Sequence, residues 1–397
     1  MTATTTSDPS PFPPSSSPAD ANHDDNDEEE PDLDPDQPTI KAWVYTPGLG
    51  YPACVKQTLL PAPISPSTTT GGGLVAPTHL LVRVRAAALN PVDIQLMNFL
   101  PSFLPERGFG ADFAGTVIAA GRDSGFADGD DVFGVCLAPF GGRDAGTVRE
   151  VLSVDVTRAV VARKPAAWKS WARAAAVPLA WVTARTCVAR CEGYVSSVGD
   201  DGEEDEGQRG EGGGGTVAVL GASSATGMWA VVLAKRRGWR VVATCGGRNA
   251  GFVRSAAVGA DVVVDYTQEG GVRAKVAAER PDAIIDCVGG TECLGLARRY
   301  VTIVGDKTSR GALGGALTYL WNPQMVLRTL LGKVGLRSEV YECINLEMKT
   351  SYLEEALDLD EDKIVLDSTF SFDQVREALE RLNSGRCRGK VVVEVGP

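Results

Sequence analysis

The chain has 397 residues, 44% hydrophobic and 23% charged, a balance that suits a soluble globular protein of two domains or one large one. Its formal net charge of −12 is concentrated: residues 1–38 carry eleven acids and no Lys or Arg, and 200–211 carries seven acids and one Arg. Outside these segments the chain is mildly basic, which suits a phosphate-bearing small molecule, and no apolar run approaches the ~20 residues of a membrane span; no nucleic-acid partner is expected.

Residues 1–38 read as a disordered acidic tail, rich in Pro and acids with almost nothing apolar to bury. The fold is predicted to start with a strand at Lys41–Tyr45. A Pro/Thr/Gly loop covers Pro61–Pro77, and His79–Ala87 alternates as a strand. Short strands follow at Gly115–Ala120 and Asp131–Val135. From about Ala172 the composition turns helical, with a break at Pro178, and Ser196–Gly215 is a hydrophilic insertion. Strands are then predicted at Thr216–Leu220, Arg240–Thr244, Asp261–Asp265, Ala283–Cys287 and Tyr300–Val304, spaced by helices. Apolar strands without polar alternation point to a parallel sheet covered on both faces. An amphipathic helix over Phe372–Leu382, with Asp373 as its cap, and a strand at Lys390–Val395 close the chain. The nine cysteines are scattered, with no disulfide framework and no secretory segment. The N-terminus lacks the arginines of a transit peptide, so a reducing, cytoplasmic setting is expected.

The chemistry concentrates in Thr216–Asn249. A strand enters the turn Gly221-Ala-Ser-Ser-Ala-Thr-Gly227, and a helix follows over Met228–Arg237 until Gly238 stops it. Gly221 makes the tight turn and Gly227 permits close packing of helix on strand. The backbone of Ser223, Ser224, Ala225 and Thr226 would face a pyrophosphate at the helix start. Ser224 stands where a glycine is commoner. The end of the next strand selects the cofactor. An NAD site puts an acid there for the ribose hydroxyls. This chain reads Ala243-Thr-Cys-Gly-Gly-Arg-Asn249 instead. Gly246, Arg248 and Asn249 offer room and positive charge for a 2′-phosphate, so NADPH is the expected cofactor.

Further segments extend this unit: AAALNPVDIQ (86–95), GFGADFAGTVIAAG (108–121), FADGDDVFGV (126–135), AAAVPLAWVTA (174–184), GADVVVDY (259–266), DCVGG (286–290) and SGRCRGKVVVEV (384–395). In this order and spacing the chain resembles the zinc-independent branch of the medium-chain dehydrogenase/reductase superfamily, the quinone oxidoreductase and enoyl reductase group. The resemblance implies a GroES-like β-rich catalytic domain over 39–177 and 346–397, with a Rossmann-type parallel-sheet domain inserted over 178–345 and the active site in the cleft between. It places Asn90 near the nicotinamide and substrate carbonyl, Thr183 at the nicotinamide edge and Tyr266 near the adenine ribose phosphate. Val288, Gly289, Val304 and Gly305 fall at strand C-termini, where open α/β sheets bind ligands.

The Asn90 motif also reads as an Asx turn with Asp93 capping the next helix. Relatives that use a tyrosine shortly after it have no counterpart in Ile94–Pro105, which leaves Gln95 or a water to polarise a carbonyl. Zinc members of the superfamily use Cys and His. Here only His23 and His79 exist, Gly110-Ala-Asp112 stands where they carry a His-Glu pair, and no metal is expected. The implied activity is transfer of hydride from NADPH to an activated C=C or a quinone of a small-molecule substrate. Two alternatives stand beside it: an NADPH-binding regulatory or scaffold protein with little turnover, and a trans-acting enoyl reductase of a polyketide pathway. A homodimer is left open.

Overall fold

The computed structural model describes residues 38–63, 75–138, 141–196, 214–307, 315–320 and 322–396. The acidic tail up to residue 37, residues 64–74 of the Pro/Thr/Gly loop and residues 197–213 of the hydrophilic insertion lie outside the described residues.

The first half is built of β1 (Thr39–Tyr45), β2 (Val55–Pro61), β3 (His79–Leu89), helix α1 (Pro91–Phe99), β4 (Arg107–Gly108), β5 (Asp112–Ala120), β6 (Asp131–Val135), β7 (Val151–Asp155) and β8 (Val160–Arg163). Helices α2 (Trp171–Ala175) and α3 (Pro178–Cys191) follow. The break expected at Pro178 is real. Proline sits in the first turn of α3, where its missing N–H costs nothing. Ala86, Ala87 and Ala88 of β3 are buried, and such small side chains let α2 pack closely on the strand.

The second half runs β9 (Thr216–Leu220), α4 (Ala225–Arg236), β10 (Arg240–Cys245), α5 (Ala250–Arg254), β11 (Val262–Asp265), α6 (Val272–Ala278), β12 (Ala283–Asp286), β13 (Arg299–Thr302), α7 (Pro323–Lys333) and β14 (Val340–Cys343). Then come α8 (Thr350–Glu354), β15 (Leu366–Ser371), α9 (Val375–Asn383) and β16 (Lys390–Glu394). The final helix is entered through a short 3-10 turn capped by Ser371 and Gln374. Asp373 is not the cap; its carboxylate accepts a bond from Gln57.

Chain order and sheet order then part company. β9 to β14 form one parallel sheet in the order β11-β10-β9-β12-β13-β14, the doubly wound Rossmann arrangement. One face packs on α3 and α4, where Trp181 meets Trp229 edge-on at 5.2 Å. The other face is covered from α6 and α7 by Val276 and Met325. β15 and β16, from the C-terminal end, return to the GroES-like sheet, whose order is β15-β16-β3-β5-β6-β8 and which is antiparallel except for the parallel β15–β16 pair. The strand order reverses between β9 and β12, so the crevice for a ligand opens at their C-terminal ends.

Candidate functional site

The turn after β9 has the shape its glycines demand. Gly221 has φ +79°, and a Cβ there would lie 2.4 Å from Val288 Cγ1. A Cβ on Gly227 would lie 2.3 Å from the Gly221 carbonyl oxygen. Ser224, the departure from the glycine pattern, is the helix cap. Its hydroxyl accepts from the Gly227 N–H at 3.1 Å and donates to the Gly221 carbonyl at 2.8 Å. Thr244 holds the near side of the turn: its hydroxyl accepts from Gly221 N–H at 3.0 Å and its carbonyl from Ala222 N–H at 2.9 Å. The N–H groups of Ala225 and Thr226 are first-turn groups with no intrahelical acceptor, at the positive end of a 12-residue helix. With Ser223 they form half-buried backbone beside a cradle only glycine permits. These residues fit a dinucleotide's pyrophosphate.

Gly246 follows β10, and Gly247–Asn249 is a 3-10 turn. Arg248 is exposed and has no hydrogen bond or ion pair among the described residues. Tyr266 is 57% exposed, and its hydroxyl would lie 3.3 Å from a Cβ on Gly246. One neighbour is invisible in the linear sequence. Asp265 ends β11 as the register partner of Cys245, and its carboxylate fills the space beside Gly247. It accepts from the Thr267 N–H and hydroxyl, and these bonds hold it below the usual carboxylate range. Strand pairing, not chain distance, puts an acid here.

On the other side of the crevice, Val288 and Gly289 follow β12, and Val304 and Gly305 follow β13. Val288 touches the Gly221 turn, and the Gly290 N–H donates to the Gly305 carbonyl at 3.3 Å. Burial pushes the nearby Lys307 ammonium down to about 8.

The two halves of the molecule meet at a buried polar cluster. Asn90 lies between β3 and α1, Asp112 begins β5 and Lys390 begins β16. The Lys390 ammonium bonds Asp112 Oδ2 at 2.7 Å and Asn90 Oδ1 at 2.5 Å. Asn90 Nδ2 donates to Asp112 Oδ2 at 2.9 Å and to the Ala88 carbonyl at 3.2 Å. The ammonium and carboxylate fix which way the amide points, and both of its hydrogens are taken. Asp93 caps α1 by accepting the Asn90 N–H at 2.7 Å with one oxygen and the Gly110 N–H at 3.0 Å with the other. Burial pushes its carboxyl up to about 6. Asp112 Oδ1 accepts the Leu179 N–H at 2.6 Å and so anchors the first turn of α3. One turn on, the Thr183 hydroxyl donates to the Leu179 carbonyl at 2.6 Å, which leaves its oxygen as an acceptor. Gly389, beside Lys390, forms a parallel bridge with Ser224, and Arg388 lies over the Phe252 ring. The strand carrying Lys390 therefore starts at the pyrophosphate turn. Gln95 is half-buried on α1.

Asn90, Thr183 and the pyrophosphate turn are thus joined through Asp112, Lys390 and Gly389. The linear sequence marked the first group and missed Asp112 and Lys390 as its connectors. The available signal was a lone acid in β5 and a lone base opening an apolar strand.

The alcohol dehydrogenase GroES-like domain family matches residues 76–184, and the zinc-binding dehydrogenase family matches residues 258–393. The chain is 32% identical over 321 residues to the "Probable zinc-binding oxidoreductase, mitochondrial" of Arthroderma benhamiae, covering 79% of this chain and 88% of that one. The chain belongs to the medium-chain dehydrogenase/reductase superfamily. It is also 31% identical to a chloroplastic quinone oxidoreductase of Triphysaria versicolor, over 80% of this chain and 89% of the relative. The quinone oxidoreductase of Coxiella burnetii shares the fold with a TM-score of 0.66 at 23% identity, over 90% of this chain and 100% of that one. The protein is an oxidoreductase of the quinone oxidoreductase/NAD(P)H oxidoreductase type.

Among the described residues no three His, Cys, Asp or Glu side chains come together to hold a metal ion. Asp112 already faces an ammonium, and both oxygens of Asp93 are taken by backbone N–H groups. Cys187 and Cys191, one turn apart on α3, are fully buried, and burial raises both thiols above their ordinary value. Among the described residues this donor set does not fit a zinc ion.

Proposed function

We propose that the protein is a zinc-independent reductase that uses NADPH to deliver hydride to an activated C=C, as in an enone or enoyl group, or to a quinone. The observation that carries this reading is the Lys390–Asp112 pair, 2.7 Å apart. It puts a fixed ammonium on Asp112, the acid of the Gly110-Ala-Asp112 segment that stands where the superfamily's zinc members carry a His-Glu pair. NADPH is favoured over NADH because Arg248 is exposed and makes no hydrogen bond or ion pair among the described residues, whereas Asp265 commits one carboxylate oxygen to Thr267.

Bound NADPH would supply the hydride. The residues of the chain bind and orient it. Gly221–Gly227 receives the pyrophosphate, Gly246, Arg248, Asn249 and Tyr266 receive the adenosine end, and Val288, Gly289, Val304 and Gly305 wall the nicotinamide end. Thr183 offers an acceptor at that end. Asn90, with no amide hydrogen to spare, acts by positioning, and the polarising bond falls to Gln95 or water. In domain terms, 39–177 with 346–397 would form the catalytic half and 178–345 the cofactor half.

The test is NADPH oxidation with quinones, enones and enoyl thioesters, before and after treatment with a zinc chelator. Turnover of at least one class, unchanged by chelation, is expected. Chelator-sensitive turnover would remove the zinc-independent reading. NADPH binding without turnover on any class would favour a regulatory protein, a second reading that the absence of a free Asn90 donor supports. A homodimer is proposed on the exposed Leu327 and Leu330 of α7 near the edge strand β14, and light scattering reads it directly. A cytoplasmic location is proposed on the nine free cysteines, and cell fractionation checks it.

A further inference from the structure

At the C-terminal ends of β12 and β13, Asp286 and Thr302 are register partners, and both are fully buried. The Thr302 hydroxyl donates to Asp286 Oδ2 at 2.8 Å. Asp286 Oδ1 accepts the N–H groups of Val288 and Gly289, each at 2.9 Å. Thr302 Oγ1 accepts those of Val304 and Gly305 at 3.1 and 3.0 Å. Each side chain closes its own strand-end turn, and the bond between them makes the two turns one unit. The Gly290 N–H to the Gly305 carbonyl adds a second tie. The register is rigid: Gly289 has φ +85°, and a Cβ there would lie 2.0 Å from the Lys307 carbonyl oxygen.

Burial raises the Asp286 carboxyl, and the bonds from Val288, Gly289, Thr302 and Tyr300 oppose that rise. An apolar pair of similar shape would pack the same spot without that cost. It would, however, leave four backbone N–H groups without their acceptors. The sheet order decides which part of the crevice the pair serves. β10 and β11, with Arg248 and Tyr266, lie on one side of β9, and β12 and β13 lie on the other. Val288 itself touches the Gly221 turn at the centre.

We propose that Asp286 and Thr302 are a positioning pair that presets the Val288–Gly289 and Val304–Gly305 turns for the nicotinamide half of the cofactor and leaves the adenosine half untouched. The inference rests on the NADPH reading. It predicts a split between the whole cofactor and its adenosine fragment that general destabilisation would not produce.

The test titrates NADPH and 2′,5′-ADP against the wild-type protein, Thr302→Val and Thr302→Ser, following protein fluorescence. Thr302→Val is expected to weaken NADPH about tenfold and to leave 2′,5′-ADP within about twofold. Thr302→Ser keeps the hydroxyl and should bind NADPH like the wild type. Equal losses for both ligands, or none for NADPH, would overturn the pair's role. If the wild type binds neither ligand, the NADPH reading itself fails, and that outcome is distinct. Hydrogen exchange on the wild type covers the case in which Thr302→Val does not fold. Without cofactor, the amides of Val288, Gly289, Val304 and Gly305 should already exchange slowly. Fast exchange there would show that the turns are not preset.

Discussion

Replacing Lys390 with Met tests the joint between the two halves. Met keeps most of the packed stem and removes the charge. The Lys390 and Asp112 side chains are 5% and 0% exposed, so water cannot replace the lost partner. Among the described residues the Asp112 carboxylate would keep the Leu179 N–H and one Asn90 N–H, and Asn90 Oδ1 would lose the ammonium. An exposed pair would be worth roughly 0–1 kcal/mol. Breaking a buried one costs about 3–5 kcal/mol, because an uncompensated charge stays behind. That is a large share of the ~5–15 kcal/mol that holds a domain folded. Adding Asp112→Asn removes the orphaned charge, so the double variant should recover at least about 2 kcal/mol relative to the sum of the singles. Denaturant unfolding, read by the fluorescence of buried Trp181 and Trp229, measures all four corners of the cycle. A cost below about 1 kcal/mol for Lys390→Met, or strict additivity, would refute a buried, charge-dependent joint.

Three other outcomes follow from single sites. Arg248→Ala should weaken NADPH about tenfold and NADH little, and equal effects in a binding titration would remove the 2′-phosphate role. Gly221→Ala would force a Cβ to within 2.4 Å of Val288 Cγ1 at φ +79°, so cofactor affinity should fall at least about tenfold by the same titration. Asp93 makes stability depend on pH. Its folded value of about 6 exceeds the unfolded ~3.9, so the native state binds the proton more tightly. Its contribution to stability is therefore full below about pH 4 and falls as pH rises to about 6. Asp93→Asn should flatten that fall in a pH series of unfolding midpoints, and an unchanged profile would assign it to another group.

The cofactor half was the more legible part of the sequence, for a physical reason. A parallel strand buried on both faces must be apolar throughout, so β9, β10 and β12 show as unbroken runs. The glycines at 221 and 227 mark places where a Cβ has no room. Errors gathered where alternatives were close in energy. Asp373 and Ser371 are both good caps, and only the bond to Gln374 decides between them. Asp265 escapes notice as a neighbour of Gly247 because sixteen residues of chain, 246–261, separate two strands that the sheet lays side by side.

The polar joint was hardest to read, and the difficulty carries its own argument. Asn90, Asp112 and Lys390 come from three strand ends, and Lys390 lies 300 residues from Asn90. No local pattern links them. Taken singly, Asn90 looks like a turn residue or a donor to substrate, and Lys390 like the first residue of a strand. Together they use up the amide. A carboxylate and an ammonium at this depth need each other in place to offset desolvation. The pair therefore forms only when the C-terminal strand has returned to β3. Gly389 then meets Ser224, Leu179 meets Asp112, and the pyrophosphate turn and the helix bearing Thr183 are brought to the same strand end. On this argument the cofactor crevice is completed by the last strand of the chain. A variant that loosens β16 should lose NADPH affinity even though every residue expected to touch the cofactor is unchanged.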